Sequence, residues 1–138
     1  MRPFAGLIMI LLSITIFSSR LESLTEISNN ALDISTERAY KDFFPPDSEI
    51  VFLDIREDFE VSNGIIEGAV WLPLGTLRVA ITERFPDREG QGFIVYCRSG
   101  NRSMTGARIL RELGYVALSM NRGFLGWQSM DYPTSSFE

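Results

Sequence analysis

Along this chain, short continuous runs of apolar residues alternate with stretches in which hydrophobic positions recur at helical spacing. The runs at residues 50–53, 69–72, 93–96 and 116–120 read as strands, and 31–34 as a shorter first one. Residues 93–96, rich in β-branched and aromatic side chains, suit a strand buried on both faces. Between the strands, Ser35 caps a helix expected over 36–44, with Ala39, Tyr40 and Phe43 turned inward and Pro45-Pro46 ending it. Further helices are expected over 56–62, closed by Asn63-Gly64, over 77–85 after Pro73, and over 124–130. From Ser103 the positions Met104, Ala107, Leu110 and Leu113 repeat at helical spacing until Gly114 stops them. Strands alternating with helices imply one α/β domain with a mostly parallel sheet flanked by helices on both faces. No internal repeat is present.

Residues 1–19 differ in kind. Arg2 precedes an apolar run from Leu7 to Phe17, followed by Ser18 and Ser19. That length fits the apolar core of a signal peptide better than a membrane span, which needs about 20 residues. With Phe17 at the minus-three position of a cut after Ser19, an uncleaved N-terminal membrane anchor stays open. The expected organisation is a signal peptide or anchor over 1–19, a polar linker over 20–30 and the domain over 31–138. The expected location is the periplasm, free or anchored facing it, with membrane contact only if the segment is uncleaved.

Composition then narrows the chemistry. The chain has 138 residues, 45% of them hydrophobic, enough for one domain with a core. A net charge of −5 without a basic run points away from nucleic acid. The absence of histidine removes Ser-His-Asp and Cys-His nucleophiles and histidine metal sites. One cysteine excludes an internal disulfide or a CxxC pair.

That cysteine carries the candidate chemistry. Cys97 follows the strand at 93–96 and precedes a polar loop and a helix, which puts it at the carboxyl end of a strand and facing a helix N-terminus. Ligands of open α/β sheets bind there. Gly100 and Asn101 tolerate positive φ, so the loop can curl and turn N–H groups inward. Loop amides, the helix dipole and the charges of Arg98 and Arg102 all favour a thiolate.

The stretch Cys97-Arg98-Ser99-Gly100-Asn101-Arg102-Ser103 resembles the active-site loop of the rhodanese (thiosulfate sulfurtransferase) family. Upstream, Leu53-Asp54-Ile55-Arg56-Glu57 and Gly64-Ile65-Ile66-Glu67-Gly68-Ala69 resemble two further family segments, the second with Ile65 and Glu67 in place of the family's His and Pro. Downstream, Arg122-Gly123-Phe124 through Trp127 resembles the closing G-G-x-x-x-W, with Arg122 replacing a glycine and able to add charge near the mouth. The similarity spans residues 32–133 and implies a single rhodanese-like domain. It also implies a transferase in which Cys97 takes the outer sulfur of thiosulfate or a similar anionic donor, becomes a persulfide, and passes that sulfur to a thiol or cyanide. No metal or organic cofactor is required, and a monomer is expected.

Under the resemblance, Cys97 is the nucleophile. Amides of Arg98, Ser99, Gly100, Asn101, Arg102 and Ser103 cradle the persulfide, while Arg98 and Arg102 attract and orient the donor. Asp54, Arg56 and Glu57 are expected to be architectural, and Trp71 and Trp127 core aromatics. A phosphatase signature needs arginine six positions after cysteine; here Ser103 stands there and Arg102 comes one residue early, so a small Cys-dependent phosphatase or arsenate reductase is disfavoured. A sulfur-carrier or partner-binding module is the other alternative.

Overall fold

A computed structural model of the chain describes residues 19–137. The signal peptide or anchor expected over 1–19 therefore lies almost wholly outside the described residues. The elements are α1 (Ser19–Asn30), β1 (Asp33–Ile34), α2 (Thr36–Phe43), β2 (Ile50–Asp54), α3 (Asp58–Val61), β3 (Ile65–Ile66) and β4 (Val70–Trp71). A 3-10 turn at Leu74–Thr76 leads into α4 (Leu77–Arg84), then β5 (Gly92–Tyr96), α5 (Asn101–Glu112), β6 (Val116–Met120), α6 (Gly123–Ser129) and β7 (Thr134–Ser135).

Five strands form one sheet in the order β1-β6-β5-β2-β4, with every pairing parallel. β2 and β5 are buried at every position, as the continuous apolar runs require. Successive side chains point to opposite faces. Phe52, Ile94, Tyr96, Leu118 and Met120 pack on one face with Leu24, Ala39, Phe43, Phe124 and Trp127, from α1, α2 and α6. Leu53, Val95, Cys97 and Ala117 pack on the other with Leu77, Ile81, Ala107 and Leu110, from α4 and α5. The sheet is thus covered on both sides. Since β5 is its middle strand, residue 97 emerges at the centre of the carboxyl edge.

Three details depart from the sequence pattern. The linker expected over residues 20–30 is helix α1. Leu21, Leu24 and Ile27 line one side of it, Leu24 is fully buried, and a Cβ at Gly92 would collide with the Leu24 side chain. Arg20 anchors the helix by donating to Asp47 at 2.7 Å and to the carbonyls of Phe43 and Pro45. The polar residues that suggested a linker are the outward face of an element docked through few apolar positions. In α5 the fully buried positions are Ser103, Gly106, Ala107 and Leu110, not Met104 and Leu113, which are partly exposed. The helix approaches the sheet through small residues; a Cβ at Gly106 would stand 3.1 Å from Ile55. Finally, β3 and β7 form a small antiparallel pair that the apolar pattern did not indicate.

Candidate active site

Cys97 is the first residue beyond β5 and only 1% exposed, so its sulfur forms the floor of the loop. Gly100 adopts φ +110° as the residue before α5, which reverses the chain toward the sulfur. A side chain there would also press on the Arg122 backbone nitrogen at 3.2 Å. The Gly100 N–H then donates to Cys97 Sγ at 3.2 Å. Ser103 Oγ lies 3.6 Å from the sulfur, bonds the Gly100 carbonyl at 3.1 Å, and meets Ser119 Oγ at 2.7 Å. Ser119 is fully buried in β6, on the Cys97 face of the sheet.

These contacts decide the ionisation of the thiol. Burial pushes its pKa up, as it does for any group charged only when deprotonated. Hydrogen bonds from the Ser103 hydroxyl and from the backbone N–H groups of Ser103, Gly100 and Ser99 outweigh that burial, and the pKa falls below the ordinary value. The Gly100 amide, 3.2 Å from the sulfur, and the Ser103 hydroxyl, at 3.6 Å, are the contacts in the structure that favour the thiolate.

The carbonyls of the same loop are held from behind. Phe124 N–H donates to the Cys97 carbonyl at 2.8 Å and Leu125 N–H to the Arg98 carbonyl at 3.0 Å, both from the first turn of α6. Gly123 takes φ +53° to start that turn. Any Cβ on it would overlap the Cys97 carbonyl oxygen and lie 2.7 Å from the Arg98 carbonyl carbon. The glycine of the Arg122-Gly123 pair is thus required by close backbone approach, and by conformation. Arg122 itself does not bring charge to the mouth. It takes φ +62° and directs its side chain to Glu37 and Ser129, each at 3.5 Å, on the exposed surface.

A second support comes from the segment after β2. Arg56 is buried and forms a bidentate pair with Asp54, its Nη2 at 2.7 Å from Oδ2 and its Nε at 3.0 Å from Oδ1. Arg56 also donates to the Gly64 carbonyl at 2.7 Å and stacks its guanidinium 4.1 Å from the Phe124 ring centre. Asp54 also accepts the Arg56 N–H at 3.0 Å. Glu57 and Glu60 make a capping box around α3. Asp54, Arg56 and Glu57 are architectural in this geometry, and they place Glu60 beside the loop. Trp127 is fully buried, while Trp71 is half-buried and donates its indole N–H to the Arg56 carbonyl at 2.8 Å.

Glu60 changes the role expected of Arg102. Its carboxylate takes Arg102 by two hydrogen bonds of 2.7 and 2.8 Å. The Arg102 side-chain bond is the main cause that lowers the Glu60 pKa from its ordinary 4.5 to about 2, and the same contact raises that of Arg102. Arg102 therefore closes the loop as half of an ion pair and is not left free to orient an anion. Arg98, in contrast, is exposed, and its guanidinium makes no ion pair or hydrogen bond among the described residues. Ser99 contributes only its backbone N–H. Asn101 is the first helical residue of α5, without the positive φ that the sequence allowed it, and its exposed side chain bonds nothing among the described residues.

Arg98, Arg56, Phe59, Glu60, Phe124 and Leu125 line a cavity of about 280 Å³ that adjoins the loop. Glu60 and Ser119 are the two site residues that sequence reasoning missed. Each left a signal. Ser119 is the one hydroxyl in the run Val116–Met120, and Glu60 stands at capping-box spacing from Glu57. Among the described residues, no group of three or more His, Cys, Asp or Glu side chains is arranged to hold a metal ion, and no helix is long and apolar enough to cross a membrane.

Comparison with known proteins agrees with this geometry. A family profile described as Rhodanese-like domain matches residues 35–130. The chain is 33% identical over 101 residues to the putative sulfurtransferase YtwF of Bacillus subtilis, covering 73% of this chain and 94% of that protein. It is 36% identical over 92 residues to a putative mitochondrial thiosulfate sulfurtransferase of Schizosaccharomyces pombe, covering 59% of this chain and 65% of the other. Among solved structures, a rhodanese-related protein of Thermoplasma volcanium superposes with a TM-score of 0.65 at 26% identity, covering 76% of this chain and 98% of that one.

Proposed function

The chain belongs to the rhodanese-like domain family, and from that premise we propose that it moves a sulfane sulfur from thiosulfate or a similar donor to a thiophilic acceptor through a persulfide on Cys97. Sulfurtransferase names among its relatives support sulfur transfer in general. The observation that carries the finer reading is the placing of the Gly100 amide at 3.2 Å and the Ser103 hydroxyl at 3.6 Å from Cys97 Sγ, with the thiol pKa drawn down by hydrogen bonding.

In the first half-reaction the Cys97 thiolate attacks the outer sulfur of the donor. The donor's S–S bond breaks, its electron pair leaves on sulfite when the donor is thiosulfate, and Cys97 keeps the outer sulfur as a persulfide. N–H groups of the loop stabilise the persulfide anion as they do the thiolate. An acceptor nucleophile takes the outer sulfur and restores the thiolate, so ping-pong kinetics follow. With one cysteine in the chain, the acceptor comes from outside. Arg98, the uncommitted cation at the mouth, draws in the anionic donor. The position of Arg102, five residues after Cys97 and committed to Glu60, counts against phosphate-ester chemistry. The apolar run from Leu7 to Phe17 supports export to the periplasm.

Intact-protein mass spectrometry tests the reading. Incubation with thiosulfate adds one sulfur to the chain, cyanide removes it, and Cys97→Ser gains none. Arg98→Ala raises the thiosulfate KM several-fold while kcat changes less, because the lost interaction is one of attraction and not of bond making. Failure of Cys97 to gain sulfur from thiosulfate, with the thiol free, turns the assignment toward a partner-bound sulfur carrier.

A further inference from the structure

We propose that the chain keeps its apolar N-terminal segment as a membrane anchor, and that the domain stands on the bilayer by the amino edge of its sheet. The Cys97 loop then opens on the far side, toward the aqueous phase. The inference rests on the reading of the apolar run as an export segment, and it does not depend on the chemistry at Cys97.

The described chain enters the fold at the edge opposite the site. Arg20 donates to Asp47 at 2.7 Å and to the carbonyls of Phe43 and Pro45, at the end of α2 and in the turn that follows it. Asp47 in turn accepts the N–H groups of Glu49 and Ile50, each at 2.8 Å, so Arg20 is held where β2 begins. Leu21 and Leu24 stand over Gly92, the first residue of β5, which pairs with Ile50 in the parallel register. Cys97 follows the last residue of the same strand. At about 3.3 Å per residue, β5 therefore puts Cys97 ~17 Å from the edge that holds the start of α1.

The chain outside the domain is short on this side. The apolar run ends at Phe17, and Arg20 already belongs to the fold, which leaves only Ser18 and Ser19 between them. A chain spans at most about 3.6 Å per residue, so the end of the run stands within ~11 Å of Arg20 whatever its conformation. A tether of that length keeps the amino edge at the headgroup layer. It holds the opposite edge, where Arg98 and Asn101 are exposed, away from the lipid. The uncharged stretch from Pro3 to Ser19 is 17 residues, the lower end of the ~17–25 that a helical span uses.

The fold also bears on removal of the segment. Signal-peptide cleavage needs small residues at the last and third-last positions before the cut. A cut after Ser18 puts Ile16 third-last, and a cut after Ser19 puts Phe17 there. Ser13 and Thr15 have the spacing but lie within the apolar run itself. Ser23 and Thr25 also have it, and they lie inside α1. A cut after Thr25 would strip the domain of Arg20 and of the fully buried Leu24. A polar linker would have offered the peptidase a free, extended chain at this point. The docked helix withdraws it.

The test uses the full chain expressed in a Gram-negative host. The protein is expected in the membrane fraction, resistant to carbonate extraction and with the mass of the uncut chain. For orientation, Ser48→Cys and Glu89→Cys at the amino edge and Asn101→Cys at the carboxyl edge, all at exposed positions, are each combined with Cys97→Ser and labelled with a fluorophore. They are reconstituted in phosphatidylethanolamine–phosphatidylglycerol vesicles that carry a nitroxide on the headgroup. Quenching at the amino-edge positions exceeds that at position 101 several-fold, and either amino-edge probe suffices if the other variant fails to fold. An exported soluble chain that has lost its N-terminal segment overturns the anchor. Quenching at position 101 equal to or greater than that at positions 48 and 89 overturns the orientation. Both results leave export and sulfur transfer intact, whereas an uncut chain in the cytoplasm sinks the export reading and this inference with it.

Discussion

The hydroxyl groups of Ser103 and Ser119 lie 2.7 Å apart behind the Cys97 sulfur, the first on α5 and the second fully buried in β6. Ser103 touches the sulfur, and the Ser119 hydroxyl has its one side-chain hydrogen bond among the described residues with Ser103. When Cys97 is a thiolate, Ser103 turns its proton to the sulfur and Ser119 donates to Ser103. When Cys97 is a thiol, the sulfur donates and the Ser103 proton turns to the Gly100 carbonyl or to Ser119. Ser119 is thus a positioning residue, acting on the sulfur through a second hydroxyl.

Ser103→Ala removes a direct donor to the thiolate and moves the Cys97 pKa up, and Ser119→Ala moves it in the same direction by less. At neutral pH the thiolate fraction falls, and alkylation by iodoacetamide slows by about tenfold in the first variant, since a hydrogen bond to a charged group contributes ~1.5–3 kcal/mol. The pH profile of alkylation separates the two effects. A loss of packing alone leaves the midpoint of that profile where it is.

Gly123→Ala tests the latch between α6 and the loop. The new methyl overlaps the Cys97 carbonyl oxygen, and φ at this position is +53°. Destabilisation of about 2 kcal/mol or more is expected from strain and displacement together, measured by urea denaturation. Sulfur loading of Cys97 falls even where the variant is folded, because the carbonyls that Phe124 and Leu125 hold are those of the loop itself.

The pair of Glu60 and Arg102 gives a pH dependence with a definite sign. Folding lowers the Glu60 pKa from 4.5 to about 2, so the unfolded chain binds the extra proton between those values. The stability that the pair contributes is fully present above pH 4.5 and is lost as pH falls toward 2. Denaturation midpoints at pH 5 and pH 3 therefore differ less in Glu60→Gln than in the parent. Equal differences in the two proteins count against the pair as a source of acid lability.

Leu24→Ala tests whether α1 is part of the domain. Leu24 is fully buried against Gly92 and its neighbours, and removal of a buried leucine side chain costs ~2–5 kcal/mol. A shift of that size in the urea midpoint is expected. A surface substitution on the same helix, such as Glu26→Gln, leaves the midpoint nearly unchanged. A linker, the reading that polarity suggested, tolerates both changes.

The apolar runs at residues 50–53, 93–96 and 116–120 were legible as buried strands because a central parallel strand is covered on both faces. A strand with one wet face alternates apolar with polar residues, and these runs do not. Cys97, Gly100 and the helix after them were legible for a related reason: the end of a strand, the left-handed glycine and the start of a helix are local events, written in neighbouring residues. Ser35 as a helix cap belongs to the same class, its side chain accepting the Arg38 N–H three positions on. Each depends on contacts within a few positions of the chain.

What only the tertiary structure decided are relationships between distant segments. Helix α1 reads as polar because three apolar positions suffice to dock it, and their partners lie on β5 and β6, far along the chain. Arg102 carries the same charge in the sequence as Arg98, yet Glu60, 42 positions earlier, neutralises one and leaves the other exposed. Ser119 is 16 positions beyond Ser103 and reaches it only because β6 lies beside β5. Local propensity can place a nucleophile at the end of a strand. The charge and the hydrogen bonds that tune it come from whichever side chains the sheet order brings alongside, and strand order is set by burial of the whole core.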